Sequence, residues 1–102
     1  MSVSSPATPA ANSLEAFRRR ARYRAWHRGT KELDLILGAY ADANTEDFDA
    51  IMLARFEALM ENEEVHLTTW LISDDELPQN CDRELIEAIR SFQLERSKMN
   101  KS

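Results

Sequence analysis

Residues 23–42 read YRAWHRGTKELDLILGAYAD, and the fold class follows from them. Gly29 lies between two helical patterns, where it suits the left-handed residue just past a helix end. Thr30 then caps a new helix, because its hydroxyl can accept from the first free backbone N–H groups. From there Leu33, Ile36, Leu37 and Tyr40 recur at the i, i+3, i+4, i+7 spacing of one helical face. The stretch is the end of one helix, a break, and a second amphipathic helix from Lys31 to about Ala41.

The same signals recur on both sides. Helix 1 starts at Ser13 as N-cap and runs to about His27. After the loop Asp42–Asn44, Thr45 caps helix 3, with Glu46 and Asp47 in its first turn, where the helix dipole favours acids. Ile51, Leu53, Phe56, Leu59 and Met60 are its expected buried face. Asn62 caps helix 4, with Val65, Leu67, Trp70 and Leu71 inward. Ser73–Gln79 is an acidic loop, and Asn80 or Asp82 caps helix 5, striped by Leu85, Ile86, Ile89 and Phe92. Short connections between five helices predict an all-α, compact five-helix bundle. Residues 1–12 are small, polar and uncharged and read as a disordered tail. The bundle domain spans 13–96, and 97–102 are expected to fray.

The chain has 102 residues, one domain by size. With 2 Gly and 3 Pro it lacks the turn residues of an all-β sandwich. No apolar run approaches the ~20 residues of a membrane span. The single Cys81 excludes an internal disulfide and a Cys-based zinc site, and His27 and His66 stand apart without metal-ligand spacing. No metal site or catalytic residue is expected. Neither histidine has an evident nucleophile beside it, Trp26 and Trp70 read as core, and Asp74-Asp75-Glu76 reads as a solvated loop.

The net charge of −5 is unevenly spread. Residues 1–32 carry seven basic and two acidic residues; residues 33–102 carry six basic and sixteen acidic. The acidic remainder argues against nucleic acid as a partner. Five arginines between Arg18 and Arg24 place like charges four apart, which disfavours an isolated helix. Fold stability does not account for such a cluster, so a partner bearing carboxylates or phosphates is expected to meet it.

Arg28-Gly29-x-x-Glu32 has a plain structural account: a glycine break, with Arg28 and Glu32 paired across it for ~0–1 kcal/mol. The setting points further. Leu35 falls near Arg28 and Glu32 on the helical wheel, away from the Leu33/Leu37 stripe, as an interface anchor would; it suits an ordinary exposed leucine equally.

The pattern Tyr23-Arg24-x-x-x-Arg28-Gly29-x-x-Glu32-Leu33-Asp34, with a Phe/Leu helix and Trp70-Leu71-Ile72 downstream, resembles the succinate dehydrogenase assembly factor family over about residues 18–93. The chain departs from it in a longer N-terminal tail and in Glu63-Glu64-Val65, where Asp-Pro-Asp types are common. The resemblance implies a five-helix bundle that acts as a chaperone and not as an enzyme. It implies binding to the flavoprotein subunit of succinate dehydrogenase, or of fumarate reductase, and promotion of covalent FAD attachment to a histidine of that partner. The family's partner-binding motif falls on Arg28, Gly29 and Glu32, with Asp34, Arg24 and Tyr23 at matching positions. FAD belongs to the partner: no glycine-rich dinucleotide loop is present, so no tight cofactor binding by this chain itself is expected. A monomer in a bacterial cytoplasm is expected, ahead of the mitochondrial matrix, because the start is not transit-like. The alternative is an antitoxin-like regulatory module that binds another protein.

Overall fold

A computed structural model describes residues 11–100, with side chains from Ser13 to Lys98. The helix that opens at Thr30 organises it. The elements are α1 (Ala11–Ala25), α2 (Lys31–Asn44), a 3-10 turn (Thr45–Asp47), α3 (Ala50–Met60), α4 (Glu64–Ile72) and α5 (Arg83–Asn100). Five helices and no strand, among the described residues, make the expected all-α bundle. Most of the expected tail lies outside the described residues; Ala11 and Asn12 already belong to α1, and α5 continues past the point where fraying was expected.

The α2 stripe is buried as its spacing requires: Leu33, Ile36, Leu37 and Tyr40, joined by Ala41. Ala21 and Ala25 of α1 are fully buried, small enough to let α1 lie close to α2. The Tyr40 ring meets Phe48 at 6.3 Å, Phe56 at 6.0 Å and Phe92 edge-on at 5.5 Å. Burial holds the Tyr40 hydroxyl above its ordinary pKa, with Arg55 opposing. Leu85, Ile86 and Ile89 bring α5 onto this core. Each such side chain contributes roughly 1.5–3 kcal/mol when fully buried.

Several local expectations are corrected. Thr45 does not cap α3. It starts the 3-10 turn, fully buried, donating its hydroxyl to the Ala41 carbonyl at 2.7 Å. The chain turns there to bury Phe48, and Asp49 then caps α3 by accepting from the Met52 N–H at 2.8 Å. Asn62 does not cap α4 either; its amide donates back to the Leu59 carbonyl at 3.0 Å, closing the end of α3. Asp82 is the α5 cap, accepting from the Leu85 N–H. Ile51 and Val65 are exposed, at 73% and 63%. Each lies two residues from a buried leucine, Leu53 and Leu67, and so about 200° round its helix.

The arginine cluster of α1 is also corrected. Arg18 donates twice to the Phe48 carbonyl, at 2.9 and 3.1 Å. Arg22 donates to the buried Thr45 hydroxyl at 2.9 Å. Arg20 and Arg24 pair with Glu57, and Arg24 also with Glu61. Four of the five arginines are spent inside the fold, clamping α1 to the 3-10 turn and α3. The basic N-terminal part meets the acidic remainder within one molecule, so the cluster is not an open basic face.

Two further arginines staple the later helices. Arg90 donates to the Trp70 carbonyl at 2.7 Å and the Asp75 carbonyl at 3.1 Å, tying the end of α4 and its loop to α5. Arg55 grips Asp82 with two bonds, at 2.8 and 2.9 Å, and also reaches Glu84. That grip holds the Asp82 carboxyl below its usual range, helped by the Leu85 N–H and opposed by burial.

Candidate functional site

The break between α1 and α2 carries the motif. Helix α1 ends at Ala25, and the Trp26 and His27 amides bond back to the Arg22 and Arg24 carbonyls. Gly29 then takes φ +124°, a backbone that only glycine adopts at low cost. A Cβ built there would meet no atom within 4 Å, so the glycine is required by conformation and not by crowding. Thr30 is extended and accepts from the Leu33 N–H at 3.3 Å, starting α2 as expected.

Asp34 reaches back over this turn. Its Oδ1 accepts from the Arg28 N–H at 2.6 Å and from the Gly29 N–H at 3.2 Å. The side chain of Arg28 turns the other way, to the corner between α3 and α4, where Nη2 donates to the Asn62 carbonyl at 3.4 Å. Its Nε is buried without an acceptor. The expected Arg28–Glu32 pair across the break does not form. Glu32 is exposed and has no ion-pair partner among the described residues. Leu35, one turn further along α2, is 47% exposed beside it.

The other motif residues separate by role. Arg24 is held by Glu57 and Glu61, at 2.9 and 3.2 Å. Tyr23 is 65% exposed and stacks on His27, with ring centroids 4.1 Å apart. The His27 Nδ1 lies 2.7 Å from the Tyr23 carbonyl, which engages that nitrogen. His66 stacks on Trp70 instead, centroids 5.6 Å apart, on α4. Cys81 Sγ contacts the Pro78 carbonyl. Among the described residues no cluster of three or more His, Cys, Asp or Glu has the makings of a metal site, and no helix is long and apolar enough to cross a membrane.

Two contacts had no counterpart in the sequence reading. Asn62 receives Arg28 through its backbone carbonyl, which no side-chain pattern announces. Trp26 lies flat against Gly38: a Cβ at Gly38 would sit 2.2 Å from the indole Cδ2. The indole N–H donates to Asp42 at 3.1 Å. Trp26 is thus pressed on the face of α2, half-buried, and a glycine inside a helical pattern was the available signal.

The family model described as flavinator of succinate dehydrogenase matches residues 19–93. The chain belongs to this family. The matched span runs from Arg19 of α1 through the Gly29 turn to the buried stripe of α5. Among curated relatives, the flavinator-family chain is similar to the FAD assembly factor SdhE of Acetobacter pasteurianus, at 38% identity over 78 residues. That alignment covers 76% of this chain and 72% of the relative. It is also similar to the mitochondrial succinate dehydrogenase assembly factor 2 of Dictyostelium discoideum. There the identity is 23% over 79 residues, covering 78% of this chain and 56% of the relative. No solved structure matches the chain significantly.

What this flavinator-family turn leaves exposed is Glu32 and Leu35. Of the motif's charged groups, Arg24, Arg28 and Asp34 are engaged within the molecule. Glu32 stands free in the first turn of α2, where the helix dipole favours its charge. A carboxylate beside an exposed leucine suits a partner that brings a lysine or arginine next to an apolar surface.

Proposed function

We propose that this chain is an assembly factor that binds the flavoprotein subunit of succinate dehydrogenase and promotes its covalent flavinylation. The observation that carries this reading is the Gly29 turn leading to a free Glu32 and an exposed Leu35, in a chain of the flavinator family. Glu32 pairs with a basic residue of the partner, Leu35 fills an apolar hollow beside it, and the bare backbone at Gly29 lets the partner approach closely. Tyr23 lies on the rim of the contact, and Arg24 and Arg28 hold the turn against α3.

The chain acts by selection among partner conformations. A factor that binds the FAD-loaded, open-domain state more tightly raises its occupancy by the ratio of the two affinities. Bond formation is left to the partner's own histidine and flavin site, so this chain needs no catalytic residue and no cofactor of its own. It works as a monomer in the bacterial cytoplasm, and fumarate reductase is a second client with the same flavin chemistry.

The test is binding of the purified chain to the isolated flavoprotein subunit by calorimetry. The wild type should bind, and Glu32→Ala should bind more than about tenfold more weakly, the loss of one desolvated charged hydrogen bond. Equal binding by both would place the interface elsewhere.

A further inference from the structure

The structure assigns Asp34 a positioning role: its carboxylate sets the Arg28–Gly29 turn before any partner arrives, and does not itself touch the partner. This inference rests on the proposed function for what the turn then meets. Asp34 lies on the fourth residue of α2, and helical side chains point toward the N-terminus of their helix. Its carboxylate therefore swings back over Thr30 onto the residues that precede the helix. One oxygen accepts from two consecutive backbone N–H groups, at 2.6 and 3.2 Å, and so fixes two peptide planes at once.

Packing does not hold Gly29 in place within that turn. Gly29 is exposed, and nothing lies within 4 Å of where its Cβ would be. Packing does not impose the positive φ, and a glycine left to itself samples both signs freely. The bond from Asp34 is what selects one. The consequence reaches the rest of the motif. The Arg28 side chain, next to the fixed N–H, reaches the Asn62 carbonyl at the α3–α4 corner and does not pair with Glu32 among the described residues. The motif is thereby divided: Asp34 and Arg28 hold the shape, and Glu32 and Leu35 make the contact.

The test compares Asp34→Ala with Asp34→Asn. Asparagine keeps an acceptor oxygen in place and removes the charge. Two readouts are taken on each: hydrogen exchange of the Arg28 and Gly29 amides in the free chain, and affinity for the isolated flavoprotein subunit. For the alanine variant, both amides should lose protection, and binding should weaken on the order of 10²-fold, because two residues must then be ordered at binding. The asparagine variant should keep most of the protection and bind within about fivefold of wild type, since a neutral acceptor is weaker than a charged one. Asparagine binding as poorly as alanine, with both amides still protected, would show that the charge meets the partner and overturn the proposal. Alanine binding like wild type would overturn it as well. If the wild-type chain does not bind the subunit, the proposed function falls; the exchange comparison still decides whether Asp34 sets the turn.

Discussion

Gly38→Ala should destabilise this protein, although alanine is the better helix former by ~1 kcal/mol. The new methyl would stand 2.2 Å from Cδ2 and 2.4 Å from Cε2 of Trp26, the middle of the indole and not a flexible tip. The ring must move, and overpacking of this kind costs ~1–3 kcal/mol. Moving it also breaks the 3.1 Å bond from the indole N–H to Asp42, worth ~0.5–1.5 kcal/mol. Set against the helix gain, the net loss is about 2 kcal/mol. In a domain of this size that lowers Tm by roughly 8–16 °C. Thermal unfolding followed by circular dichroism and by tryptophan fluorescence reads it. The decisive comparison is the same substitution made in Trp26→Ala. With the ring gone, Gly38→Ala should become stabilising by ~1 kcal/mol, a reversal of sign. A Gly38→Ala variant that melts at or above the wild type would refute the reasoning. So would an equal loss in both backgrounds.

Gly29→Leu should leave the bundle folded and abolish binding to the flavoprotein subunit. It forces a side chain into φ +124° at about 1–3 kcal/mol, on an exposed turn with space around it, so circular dichroism should be unchanged while a pull-down fails. An intact complex would remove Gly29 from the interface. The Arg55–Asp82 pair gives a pH dependence. Because Asp82 titrates below its unfolded value, its contribution is present above the unfolded carboxyl range and is lost as pH falls through the lower folded value. Urea unfolding between about pH 5 and 3 should therefore lose stability less steeply for Asp82→Asn than for wild type. Parallel curves would mean that this pair adds nothing to the acid sensitivity.

Of the patterns confined to one helix, those of α2 and α5 were legible in the sequence, while Ile51 and Val65, read as buried, are exposed. The α2 stripe, the α5 stripe, the Thr30 cap and the Gly29 break are all set by neighbours within a turn, and all are where their spacing puts them. Contacts between distant residues were not. Five arginines in a row of seven residues look costly when only i,i+4 neighbours are counted. Their partners are Phe48, Thr45, Glu57 and Glu61, more than twenty positions away, and these turn the cost into clamps. The α3 cap moved from Thr45 to Asp49 for a similar reason: burying Phe48 needs an extra turn of chain that no local rule demands. At the candidate site the motif's residues were legible as a group. Their division of labour was not, because it depends on where Asp34 and Arg28 point, and spacing alone says nothing of that.

Covalent flavin itself is the most direct readout of the proposed function. Cells lacking this gene should show a weakened fluorescent band at the flavoprotein subunit in a denaturing gel, where only covalently held FAD remains. The wild-type gene should restore the band, and Glu32→Ala, folded and expressed to the same level, should fail to. A band of equal strength with the gene, without it and with the variant would contradict the proposed function at its centre.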